Sequence, residues 1–148
     1  LGRIANDAGI VYSGQAMAGQ IIVIGQTRVG SQILCATASS EVPSTLTDIA
    51  AAKYQSSPAE WSADNINTGW ACLKSSLSDP QYYQYNYESD IVAGTAPAAD
   101  NTYTATALGD LDGDAVYSTF VLNGQVQEES DELVLTKAPA LVETNPAE

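Results

Sequence analysis

An α+β fold, an N-terminal amphipathic helix packed on an antiparallel sheet of about four strands, follows from three patterns in the chain. Apolar residues recur at three- and four-residue steps at the start, at Leu1, Ile4, Ala5, Ala8, Val11 and Tyr12. Period-two alternation dominates the second half. Between the two lies a stretch rich in serine, proline and turn residues. At 148 residues with 45% hydrophobic content, the chain is long enough for one sizeable core and reads as one domain over 1–148.

The helix is expected over 1–24. Arg3, Asn6, Asp7 and Ser13 fall off the apolar stripe, as a solvent-facing side requires. Gly14 and Gly19 weaken its second half, and Ile21 to Ile24 either continue it or start a strand, so its end is expected between Gln20 and Gln26. Residues 25–79 form the loop-rich region with short helices, punctuated at Pro43-Ser44 and at Ser57-Pro58, where a proline follows a capping serine. Trp61 and Trp70 are expected to fill the core beneath this region.

The sheet is expected over 80–136. Tyr83, Tyr85 and Tyr87 alternate with Tyr82, Gln84 and Asn86, then Tyr103 to Leu108 forms a second run. Val116, Ser118, Phe120 and Leu122 alternate with Tyr117, Thr119 and Val121. Asn123-Gly124 is a hairpin dipeptide that predicts a return strand at Gln125 to Gln127. The last residues, 137–148, carry Pro139 and Pro146 and read as an extended, exposed tail.

Composition narrows the function classes. Eighteen acidic against five basic residues give a net charge of −13, which repels phosphate backbones and argues against nucleic acid as a partner. The chain has no histidine, so the commonest general base and every Ser-His or Cys-His nucleophile arrangement are missing. No catalytic residue is assigned and no enzyme activity is expected. Cys35 and Cys72, each among apolar neighbours, fit two buried thiols or one bridge. The lysine-poor, hydroxyl- and amide-rich composition is that of an exported protein, and an oxidising compartment favours the bridge. The longest apolar run, Ile21 to Ile24, is too short to span a bilayer, and no leader is visible, so a mature or trimmed form is expected.

Two further patterns carry chemistry. Asp110, Asp112 and Asp114 stand at alternate positions in Gly109-Asp110-Leu111-Asp112-Gly113-Asp114. They read either as a strand-connecting turn or as the opening of a calcium loop, calcium being the one cofactor considered. Against an EF-hand pattern the glycine is misplaced, with Ala115 at the sixth position, Ser118 at the ninth and Val121 at the twelfth. Tyr82, Tyr83, Tyr85 and Tyr87 read as sheet packing, with subunit contacts as the role of any that prove exposed.

Taken together, several phrases resemble the type IV pilins and other prepilin-type proteins of Gram-negative bacteria. They are Lys53-Tyr54-Gln55-Ser56, Gly69-Trp70-Ala71-Cys72-Leu73-Lys74, Asp79-Pro80-Gln81-Tyr82-Tyr83-Gln84-Tyr85, the acidic turn with Ser118-Thr119-Phe120, and Glu143-Thr144-Asn145-Pro146. The resemblance implies a structural subunit of an extracellular pilus, anchored in the inner membrane before assembly and then polymerised as a homo-oligomer in a helical filament. Partners implied are sister subunits, the pilus assembly machinery and a hydrophobic helix, which either preceded Leu1 or belongs to a separate short chain. The family's processing signature and long apolar segment are not found in this sequence. Leu1, Ile4, Ala8 and Val11 are then expected either to pack on the sheet or to face sister helices. Two alternatives are a pseudopilin of a type II secretion system and a secreted domain binding glycans or other ligands through Trp61, Trp70 or the tyrosines.

Overall fold

The computed structural model describes residues 1–14 and 32–146. Helix α1 (Gly2–Tyr12) opens the chain and buries Ile4, Ala5, Ala8, Val11 and Tyr12, the stripe read from the sequence. It ends well before the expected Gln20. Gly14 takes φ 72° and its N–H bonds the Val11 carbonyl at 3.0 Å, the left-handed glycine closure that terminates helices. The Ile21–Ile24 segment lies outside the described residues. Among the described residues, no helix is long and apolar enough to cross a membrane.

From residue 32 to the sheet the described chain is loop-rich, with two single 3-10 turns at Leu46–Ile49 and Glu60–Ser62 and a five-residue helix, α2 (Gly69–Leu73). Just ahead of the second turn the Ser57 backbone N–H and hydroxyl both donate to Glu60 Oε2, at 2.6 and 2.8 Å, and the Ser57 carbonyl accepts the Glu60 N–H at 3.2 Å, while the turn's N-cap residue, Ala59, makes no side-chain cap bond. The disulfide forms between Cys35 and Cys72, tying the strand-like segment at Leu34–Ala36 to α2 across a sequence separation of 37.

Five antiparallel strands follow: β1 (Tyr83–Ser89), β2 (Thr102–Gly109), β3 (Ser118–Glu129), β4 (Glu132–Lys137) and β5 (Val142–Thr144). The first four form a meander in chain order, and β5 also pairs with β3. The expected strand start at Val116 moves to Ser118, because residues 110–117 belong to the connecting turn. The tail, expected to be extended and exposed, carries β5, all three of whose residues are exposed. β4 and β5 together run alongside β3 as one interrupted edge strand. Four residues, Ala138 to Leu141, stand opposite two, Leu122 and Asn123, and make a bulge that includes Pro139.

The Asn123-Gly124 hairpin is a correction. Both residues sit inside β3, facing Thr104 and Tyr103 of β2, and the real reversal is at Ser130-Asp131, with φ 53° and 67°, between Glu129 and Glu132. Gly124 is small for a different reason. A Cβ there would lie 2.1 Å from Cε1 of Tyr103, whose ring lies flat across the glycine. The same size matching recurs at Gly109, where a Cβ would lie 2.5 Å from Tyr83. Gly124→Ala should therefore cost about 1–3 kcal/mol by overpacking. In a Tyr103→Leu background the penalty should shrink, and equal penalties in urea denaturation of both backgrounds would contradict the ring-over-glycine account.

On the α1-facing side of the sheet, Tyr87, Tyr103, Ala105, Leu122 and Val126 are buried together with the helix stripe. The Tyr87 and Tyr103 rings stack at 5.7 Å, and the Tyr87 hydroxyl donates to the Cys35 carbonyl at 3.1 Å. Trp61 and Trp70 meet edge to face at 4.9 Å beneath the loop region, as expected for core rings. Gln84 points to the opposite face yet is buried, because the 42–49 segment folds over that end and Gln84 Nε2 donates to the Pro43 carbonyl.

Two carboxylates tie the loops to this frame. For Asp90, desolvation alone would raise the pKa, but hydrogen bonds from the Thr102 N–H and hydroxyl and from Asn101 outweigh it and hold it below the ordinary value. Glu60 is held low in the same way by Tyr54 and Ser57. Their contribution to stability is complete above the unfolded carboxylate pKa of about 4 and fades as the pH falls through the lower folded values. Urea midpoints should drop on acidification below about pH 4, and the double change Asp90→Asn, Glu60→Gln should flatten that limb; an unchanged slope would exclude these two groups.

Candidate functional site

The acidic turn is built by closure of the β2–β3 hairpin. Gly109 pairs with Ser118, leaving Asp110 to Tyr117 to reverse the chain. Asp110 is buried: its Oδ1 accepts the Gly113 N–H at 2.8 Å, its Oδ2 accepts the Ala115 N–H at 3.3 Å, and its carbonyl accepts the Ala51 N–H at 2.9 Å. Asp112 Oδ1 accepts the Asp114 N–H and Asp114 Oδ1 accepts the Val116 N–H, so each carboxylate caps the backbone just ahead of it.

The sequence placed these three side chains together, and the structure brings them together. One carboxylate oxygen from each lies within 4.8 Å of the others. Two oxygens bound to one calcium at about 2.3–2.6 Å can stand no more than about 5 Å apart, so the spacing is compatible with a shared cation. Ala115, at the sixth position, takes φ 68°, the left-handed geometry for which calcium loops ordinarily use glycine. The rest of the ligand set is not supplied. Ser118 is fully buried and its hydroxyl donates to the Gly109 carbonyl, while Val121 lies in mid-strand. With three carboxylates, backbone carbonyls and water, binding would fall in the weak range of extracellular modules, about 10⁻⁴–10⁻³ M.

Of the two arrangements expected for Leu1, Ile4, Ala8 and Val11, the structure shows the packing within the domain. Ile4, Ala8 and Val11 are 4%, 2% and 7% exposed, so their apolar surface is spent on their own domain; Leu1 is half-buried at the rim. Packing on the sheet side is thus the arrangement this chain takes, and the same atoms cannot also face a sister helix. The outward side of α1 carries Arg3, Asn6, Ile10 and Ser13, and Ile10 is 46% exposed. Sequence reasoning missed Ile10, though its position off the stripe was the available signal.

An apolar hollow of about 460 Å³ opens where α1 begins, between Leu1, Tyr83, Tyr85, Phe120 and Leu141. Of the tyrosine run, Tyr87 is inside, Tyr83 and Tyr85 are half-buried, and Tyr82 alone is exposed, with the Lys53 ammonium 5.0 Å from its ring centre. Trp61 and Trp70 have 3% and 0% of their surface exposed, so neither ring can stack on a sugar. No family model, curated protein or solved structure matches the chain.

Proposed function

We propose that this chain is the globular head of a type IV pilin, a non-enzymatic structural subunit of an extracellular fibre. The observation that carries the reading is α1 laid by its apolar stripe across one face of an antiparallel meander, with a disulfide-tied loop region between helix and sheet. A rod-and-head subunit needs this order. The helix must be anchored to the head along one side so that load applied to the rod is carried by the sheet, and burial of five stripe residues supplies that anchorage at about 25 cal/mol per Å² of apolar surface. The acidic, hydroxyl-rich exterior suits display outside the cell, with roles in adhesion, motility or surface contact, and the apolar hollow beside Leu1 lies where a longer or separate apolar helix would approach the head. Sister subunits in a helical filament and the pilus assembly machinery are the partners of this reading.

Immunogold labelling of producing cells with antibodies raised against residues 32–146 tests it. Labelled surface filaments that vanish when the gene is deleted are the expected result. Antigen found only as free protein in the medium, with no apolar helix encoded ahead of Leu1 or beside the gene, would overturn it.

The acidic turn favours a second reading, a pseudopilin of a type II secretion system, in which a calcium ion would stiffen the β2–β3 hairpin. Calorimetric titration with calcium separates the two. Binding lost on Asp112→Asn with Asp114→Asn, together with secretion failure and no long surface fibres in the deletion strain, would favour the secretion piston.

A further inference from the structure

Tyr103 is 1% exposed, and its hydroxyl has no hydrogen-bond partner among the described residues. A buried phenol without a partner is costly, so its direction is informative. The ring crosses Gly124, with the hydroxyl oxygen 2.8 Å from where a Cβ on that residue would stand, and Gly124 is itself the partner of Lys137 on β4. The hydroxyl thus points from β2 over β3 toward β4. There it meets a groove of about 500 Å³ between α1 and β4, walled by Ala5, Gly9, Ile10 and Leu135 and edged by Asn6 and Lys137.

The chemistry of this groove departs from the rest of the surface. Among the described residues, none of its lining side chains is acidic, in a chain with 18 acidic residues, and Lys137, one of only five basic residues, stands at its mouth with Nζ donating to Asn6 Oδ1 at 2.9 Å. An ammonium and a phenolic O–H are donors matched to a single-charged oxygen anion, and charge-assisted bonds of this type are the strong ones. The small residues Ala5 and Gly9 leave space above the helix, where a Cβ on Gly9 would meet nothing within 4 Å, so the remainder of a ligand would lie on apolar surface. The volume falls within the usual range for small-molecule sites, about 300–1,000 Å³.

From this we infer that the groove between α1 and β4 is a binding site for a small monocarboxylate on a short apolar stem, its carboxylate held by Tyr103 and Lys137 and its stem by Gly9, Ile10 and Leu135. The inference is independent of the pilus reading, since it concerns the folded head alone.

The test is a titration of the intact, disulfide-bonded chain with sodium hexanoate, read by ¹H–¹⁵N NMR, with hexan-1-ol as the uncharged control. Saturable shifts at Asn6, Gly9, Ile10, Leu135 and Lys137 are expected with hexanoate, and at least about tenfold weaker ones with the alcohol. Lys137→Gln and Tyr103→Phe should each weaken hexanoate binding by about tenfold while leaving the spectrum folded, and Lys137→Arg should retain most of it. Equal response to acid and alcohol would overturn the site. So would hexanoate shifts indifferent to both variants, or a Lys137-dependent dimer in sedimentation that hexanoate does not displace, which would make the groove a contact between copies.

Discussion

Replacing Cys35 and Cys72 together by serine should lower stability by about 4 kcal/mol, the chain-entropy value for a closure spanning 37 residues. That is a large share of the roughly 5–15 kcal/mol available to a domain of this kind, and corresponds to a fall in melting temperature on the order of 10 °C. The effect is concentrated because the bridge joins segments with little regular structure of their own. Cys35 precedes a single parallel bridge between Ala36 and Thr68, and Cys72 lies on a five-residue helix. Urea denaturation of the oxidised, reduced and double-serine proteins checks this. A loss below about 1 kcal/mol would mean that the loop region is held by packing, with the bridge redundant.

Trp70→Ala should cost about 3–5 kcal/mol, the range for deleting a buried aromatic side chain. Trp70 has no exposed surface, packs edge to face on Trp61, and donates its indole N–H to the Ser40 carbonyl at 2.9 Å, so the change both opens a cavity and strips a partly buried acceptor of its donor. Its neighbours have no means of closing in: Cys72 is in the disulfide, and a Cβ on Gly69 would stand 2.6 Å from the Ala38 backbone, a measure of how tightly these segments abut. Tyr82→Ala, at an exposed position, should fall within about 0.5 kcal/mol of the parent. Comparable losses at the two positions would contradict the burial argument.

Much of the frame was legible because it depends on periodicity. The α1 stripe, the alternation from Ser118 to Leu122 and the β-character of Tyr103 to Leu108 all reflect one face meeting a shared core, and a 3.6- or 2-residue pattern survives in any readout of the chain. What was not legible depends on contacts distant in sequence. Asn123-Gly124 has the local signature of a turn, and only the Tyr103 ring, about twenty residues earlier, explains why the glycine belongs in mid-strand. The helix at Gly69–Leu73 is too short to show a period, and it exists because a disulfide and α1 hold it. β5 has three exposed residues and no apolar face, so nothing in its composition distinguishes it from a tail. In the candidate site, the three aspartates were found by their spacing, but Tyr103 was read only as strand, since an unpaired hydroxyl is a property of surroundings.

The step that Ala138 to Leu141 inserts into the last edge of the sheet has a consequence for crowding. A neighbouring sheet trying to extend this one would find matching peptide groups along the six residues of β4, with one of them, the Leu133 carbonyl, already occupied by Gln32 Nε2. Beyond Lys137 its register would be lost at a proline. Edge-to-edge pairing on this side of the sheet is therefore confined to a short stretch that stops at Lys137.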